Sequence, residues 1–168
     1  FGFIAVFTSE KLAKEFIDSN VIKEYTKTAM CFSHVLMHTI KSHGKWSKQN
    51  PFEASVALDK TKPLAVITRA TIKPLLAYQF WKNVPTVSKS MDNYEELIFS
   101  KGIGEFPLLM QATFSLWSDA DSMMNYAYKN PKHAEMVRKT RELNWYSEEL
   151  FARFQPFYQE GNLIPRIL

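Results

Sequence analysis

The sequence predicts an α+β fold made of ferredoxin-like split βαβ units, and three observations carry that prediction. From Leu64 onward the elements alternate as strand, helix, strand, strand, helix, strand, which is the order of a split βαβ unit. Val6-Phe7-Thr8-Ser9, a helix, Ser19-Asn20, a helix and a strand are echoed by Leu116-Trp117-Ser118-Asp119, a helix, Lys129-Asn130, a helix and a strand. The spacing of about 110 residues suits duplicated domains rather than a solenoid. Asp59-Lys60-Thr61-Lys62-Pro63 is the clearest boundary between them. Residues 1–58 therefore read as the back half of a first unit, 59–63 as a linker, and 64–168 as a complete second unit. The chain opens Phe1-Gly2-Phe3-Ile4 without an initiator Met, so the front of the first unit is expected upstream.

Taken in order, Phe1 to Phe7 is aromatic and β-branched enough for a strand, and Thr8-Ser9 caps an amphipathic helix through Leu12, Ala13, Phe16 and Ile17. A second helical run takes in Val21, Ile22 and Tyr25. Cys31 to Ile40 alternates, with Phe32, His34, Leu36, His38 and Ile40 on one side. As a strand it separates His34 from His38 by about 13 Å, too far for one metal ion, whereas a helix would bring them together. The β-branched and aromatic residues favour the strand. Leu64 to Ile72 is a strand carrying Arg69, and Pro74 opens a helix that Pro85 is expected to interrupt or end. Glu96 to Ser100 and Phe106 to Trp117 read as a hairpin turning at Gly102-Ile103-Gly104-Glu105. That glycine pair is turn chemistry rather than a dinucleotide fingerprint, because the third glycine is absent and no helix follows. Ser118-Asp119-Ala120-Asp121 caps a helix to about Asn130, and Glu149 to Tyr158 is the last strand.

Composition bounds the function. With 168 residues, 46% hydrophobic and 14% aromatic, the chain has ample core and is not disordered. The net charge of +4 is dispersed among interleaved acids, which excludes a nucleic-acid-binding arm. Cys31 is the single cysteine, so no intramolecular disulfide forms; a reducing compartment is expected, with the thiol in the core. No run matches a membrane span and no leader stands out. A cytoplasmic protein is expected, with peripheral membrane contact left open for a membrane-dissolved substrate.

The chemistry concentrates between Asn130 and Trp145. Asn130 is a good N-cap and Pro131 suits the first helical position, so a helix starts there with His133 in its first turn. Met136, Val137 and Thr140 follow at three, four and seven residues, placing His133 on an inward stripe. The positive end of the helix dipole disfavours imidazolium, and neutral imidazole is the metal-ligating form. The same pattern suits a hydrogen-bonded core histidine.

Six segments carry a family resemblance: Thr68-Arg69-Ala70-Thr71-Ile72, Phe80-Trp81-Lys82-Asn83-Val84-Pro85, Lys101-Gly102-Ile103-Gly104-Glu105, Gln111-Ala112-Thr113-Phe114-Ser115-Leu116-Trp117, His133-Ala134-Glu135 and Glu148-Glu149-Leu150-Phe151-Ala152-Arg153-Phe154. Gly44-Lys45-Trp46-Ser47 and Pro51-Phe52 add a weaker match. In this order they resemble the spheroidene monooxygenase family. The resemblance implies a dimeric α+β barrel and an oxidoreductase that uses heme, dioxygen and an external electron donor such as ferredoxin to turn a carotenoid into hydroxy and keto products. It implies His133 as the iron ligand. Beside it, Arg69 and Arg153 are candidate catalytic residues, for a distal oxygen species or a heme propionate. Met136, Val137, Trp145 and Phe114 are candidate cofactor-wall residues. Met110, Phe114, Leu116, Met123 and Met124 either enclose a dry distal face or fill the core. For each arginine the alternative is a salt bridge to Glu105, Glu135 or Glu149, and for Arg141 a surface charge. Two other functions remain open: a heme lyase resembling aldoxime dehydratases, and a cofactor-free binding barrel with a structural His133.

Overall fold

The computed structural model describes residues 2–91, 94–106, 108–165 and 167. Two short helices, α1 (Glu10–Ile17) and α2 (Asn20–Lys27), lead into strand β1 (Ser33–Gly44). Then come β2 (Leu64–Ile72), a 3-10 turn (Pro74–Leu76), α3 (Ala77–Met91), β3 (Leu97–Phe106), β4 (Met110–Trp117), α4 (Ala120–Lys129), α5 (Pro131–Leu143) and β5 (Tyr146–Gly161). The five strands form one antiparallel sheet in the order β1-β5-β2-β4-β3. Its four strands β5-β2-β4-β3 have the split βαβ order expected from Leu64 onward.

Alternation along β2 assigns the two faces of the sheet. Leu64 and Val66 pack with Trp117 and with Ala120, Met123 and Tyr126 of α4, while Ile72 packs with Phe80 of α3 and Trp145. This is the helix-covered face. Ala65 and Ile67 point the other way, into a cluster with Leu116, Leu150, Ala152 and Phe154. Phe52 and Trp46 from the segment after β1, and Ile164 after β5, cover that second face.

The helix starts follow their caps. Ser9 accepts from Leu12 N–H at 3.3 Å, Asp119 from Ser122 N–H at 2.7 Å, and Asn130 from the N–H groups of Lys132 and His133 at 2.9 and 3.1 Å. His34 and His38 lie on β1, so they are not a helical metal pair.

Four sequence expectations are corrected. Residues 2–7 form no strand; Phe3 and Phe7 set their rings 6.0 and 5.3 Å from Phe16 instead, because α1 offers them apolar cover and no described strand runs beside them. Phe1 lies outside the described residues. Cys31 is exposed, since it falls in the connection before β1 rather than inside the strand. Pro85 sits inside α3, which continues to Met91. Packing of Phe80 and Val84 below it against Ile72 and Trp145 outweighs the lost backbone donor. The hairpin reverses between Phe106 and Met110, so Gly102 and Gly104 lie within β3, opposite Thr113 and Gln111. The left-handed φ of 66° belongs to Leu108.

Candidate functional site

The helix-covered face holds two packed clusters separated by a stretch of small and polar residues. Leu64, Val66 and Trp117 anchor one end and Ile72, Phe80 and Trp145 the other. Between them, a row runs across the sheet from Gly102 through Thr113 and Thr68 to Phe151 and His43. The next row contains Gly104, Gln111, Ala70 and Glu149. Thr68 lies in the middle of a central strand on the side that helices cover, yet it is exposed. A side chain in that position is wet only where helix and sheet stand apart, so the middle of the face is an open crevice. No glycine side of β3 closes it: a Cβ built on Gly102 or Gly104 meets nothing within 4 Å.

His133 stands in the helix layer on this side, half-buried, with its ring 4.9 Å from that of Tyr126. Its Nδ1 lies 2.9 Å from the carbonyl oxygen of Ala127. A carbonyl only accepts, so Nδ1 carries the proton and Nε2 keeps its lone pair. Burial pushes the imidazole pKa below its ordinary value, and the Ala127 hydrogen bond offsets this only in part. The ring is therefore neutral, with one nitrogen available as a ligand. Among the described residues no three His, Cys, Asp or Glu side chains gather into a metal cluster. A metal held by His133 must bring its other ligands with it.

The remaining predicted residues divide between the faces. Met136 and Thr140 are half-buried with His133, and Met136 packs toward Trp145. Val137 points outward, because the inward stripe runs 133, 136, 140. Trp145 is fully buried and its indole N–H has no partner among the described residues. Arg153 is on the helix-covered face beside Val66; its guanidinium lies 5.3 Å from the Phe151 ring, and its buried Nε has no partner among the described residues.

Arg69 and Phe114 lie on the opposite face. Arg69, 2% exposed, pairs with Glu148 and lies 5.5 Å from the Trp46 ring. The expected alternatives were Glu135, Glu149 and Glu105; the last one's side chain is outside the described set. Phe114 packs with the Leu116 cluster, 6.3 Å from Phe99. Met123 is in the α4 cluster and Met124 is exposed, so the five residues proposed to enclose one cavity do not meet. Arg141 is an exposed charge in the last turn of α5.

Sequence reading missed Thr68 and Glu148. Thr68 carried a signal, a hydroxyl at the middle of an apolar strand. Glu148 carried none, because its role depends on which strand lies beside Arg69. Its carboxylate accepts from the backbone N–H groups of Lys48 and Ser47 at 2.7 and 2.8 Å, and these bonds with the Arg69 pair hold its pKa below the ordinary value.

A sheet with helices on one face and a second apolar face closed by other segments is the fold of a dimeric α+β barrel domain. Solved structures agree. A candidate monooxygenase from Fusobacterium nucleatum superposes with a TM-score of 0.56 at 14% identity, covering 96% of this chain and 72% of that one. Rv0793 from Mycobacterium tuberculosis superposes at 0.52 with 10% identity, covering 58% of this chain and 97% of its own. By sequence, the chain is similar to the spheroidene monooxygenases. It is 36% identical to that of Cereibacter sphaeroides over 90% of this chain and 48% of the relative, and 38% identical to that of Rhodobacter capsulatus over 75% and 53%. The protein from Rubrivivax gelatinosus is 32% identical over 95% and 61%. The chain thus spans about half the length of the first two. No protein-family model matches it.

Proposed function

We propose that this chain carries the heme site of a monooxygenase that oxygenates a long apolar polyene of the carotenoid class, with His133 as the residue that would hold the iron. The observation that carries the reading is the state of His133: neutral, its Nδ1–H committed to the Ala127 carbonyl, its Nε2 without a partner among the described residues. A single imidazole suits a metal that arrives in its own macrocycle. The buried Arg153 Nε, on the helix-covered face and without a partner among the described residues, suits a carboxylate such a macrocycle carries. Heme bound there supplies reductive activation of dioxygen and delivery of one oxygen atom to carbon.

The protein side of the reaction is positioning and exclusion of water. The Ala127 carbonyl fixes the imidazole tautomer and ring plane. Tyr94 packs edge to face on both Trp117 and Tyr126, whose own rings are tilted by 32°, and the three keep that end dry. Arg153 supplies the fixed positive charge on the floor. In this reading Arg69 has a different role, holding the 45–50 turn through Glu148 on the far face. The relatives named spheroidene monooxygenase support the substrate class, and an external one-electron donor completes the stoichiometry of a hydroxylation that proceeds to a ketone.

Hemin titration followed by absorption tests this. The wild-type protein should give a sharp Soret band, and His133→Ala should lose it while its circular dichroism stays native. An unchanged band in His133→Ala removes His133 as ligand. Absence of any band in both proteins favours the cofactor-free barrel, and a band without reductant-dependent oxygen uptake favours the lyase.

A further inference from the structure

Between Lys60 and Met91 the sequence contains no Asp or Glu, yet it carries Lys60, Lys62, Arg69, Lys73, Lys82 and Lys89. Folding places the second half of this stretch on the surface. Tyr78, Lys82 and Lys89 of α3 are all exposed and recur at four and eleven residues, so they share one face of the helix. The 3-10 turn that leads into it presents Leu75, 96% exposed, and Tyr78 follows at 81%. The turn between β3 and β4 comes to the same place: the Trp81 indole donates to the Leu108 carbonyl at 2.8 Å. That turn adds Leu108, 64% exposed, and Phe106, 56% exposed. Four large side chains, Leu75, Tyr78, Phe106 and Leu108, thus project from the start of α3 and the two turns beside it, with Lys73 and Lys82 nearby and no ion pair to either lysine among the described residues.

A contiguous exposed apolar patch is costly in water and marks a contact surface. Its shape and charge choose the partner. Apolar tips on tight turns, an aromatic hydroxyl at the boundary and a helix face bearing lysines without acids fit an interface where hydrocarbon lies under negatively charged headgroups. An acidic protein would match the lysines and leave Leu75, Phe106 and Leu108 without apolar cover. We propose that the solvent face of α3, with the β3–β4 turn, docks on an anionic lipid bilayer. The docking surface stands independently of the heme reading, while its use for the entry of an apolar ligand from the membrane rests on the substrate class proposed above.

Sedimentation with vesicles of phosphatidylcholine alone, and of phosphatidylcholine with phosphatidylglycerol, tests it on the whole protein. Wild-type protein should partition to the anionic vesicles, weakly to the neutral ones, and less at high salt. Lys82→Glu/Lys89→Glu should lower the partition constant by at least about fivefold per lysine. Leu75→Asp/Tyr78→Asp should abolish binding, with the melting temperature unchanged because both side chains are already in water. Absence of wild-type binding, or binding unaffected by Leu75→Asp/Tyr78→Asp, overturns the proposal. A wild-type dimer that these two substitutions convert to monomer in light scattering also overturns it, and assigns the patch to a second copy.

Discussion

A guanidinium only 2% exposed holds its charge in a sheet because Glu148 lies against it, and the same carboxylate caps the Ser47–Lys48 turn, where both φ angles are positive, 53° and 70°. Glu148→Gln removes an anionic partner of Arg69 and weakens the turn. It should cost about 2 kcal/mol in urea unfolding, less than a fully buried pair would lose because Glu148 is only half-buried. Arg69→Met, which removes the need for the counter-charge, should cost less; equal losses would show that the turn dominates. His133 gives a second residue-level expectation. Its folded pKa lies below the ordinary 6.5, so the unfolded chain binds the proton first and stability falls as pH drops below about 6.5 toward the folded value. In protein to which no hemin has been added, His133→Asn should flatten this slope of melting temperature between about pH 7 and 5.5. An unchanged slope would place the acid sensitivity on other groups.

Among the elements, the pairing of β1 with β5 is pinned by a glycine at each end. Gly44 has φ 88° and its built Cβ would lie 2.2 Å from the Glu149 carbonyl oxygen; Gly161 has φ 111° and would meet the Phe32 carbonyl at 2.2 Å. Gly44→Ala should therefore destabilise by about 2 kcal/mol or more, measured by thermal unfolding, since both the backbone angle and the close approach exclude a side chain. Both glycines are visible in the sequence, but the carbonyls they approach come from residues over 100 positions away. Legibility elsewhere divides the same way. The α4 and α5 starts were readable because Asp119 and Asn130 cap within three residues. The β1 strand was readable from alternation. The Pro85 helix was not, because its continuation depends on packing against Ile72 and Trp145. Nor was the end of β3, since Gly102 and Gly104 are turn formers that an edge strand tolerates. At the candidate site, the inward place of His133 was readable from spacing. The separation of Arg69 and Phe114 from it was not, because alternation gives which residues share a face but not which face the helices cover.

For the molecule as a whole, what matters is that the helix layer touches the sheet at two ends and leaves the middle open. The clusters around Trp117 and around Trp145 act as separate supports, and Thr68 lies exposed between them on a strand whose neighbours on both sides are buried. Such a gap exposes sheet surface that a well-packed domain would cover, so it is either filled by a ligand or closes at some cost in packing elsewhere. Thr68→Phe distinguishes these. Phenylalanine suits a strand, and in an open crevice it exchanges a wet hydroxyl for buried aromatic area. The variant should melt at the same temperature as wild type or higher. If the crevice is the heme pocket, it should also lose the Soret band in hemin titration, although His133 is intact. A full Soret band in a stable Thr68→Phe protein would mean that His133 binds heme from a different side, and a large drop in melting temperature would mean that helix and sheet leave no room above Thr68.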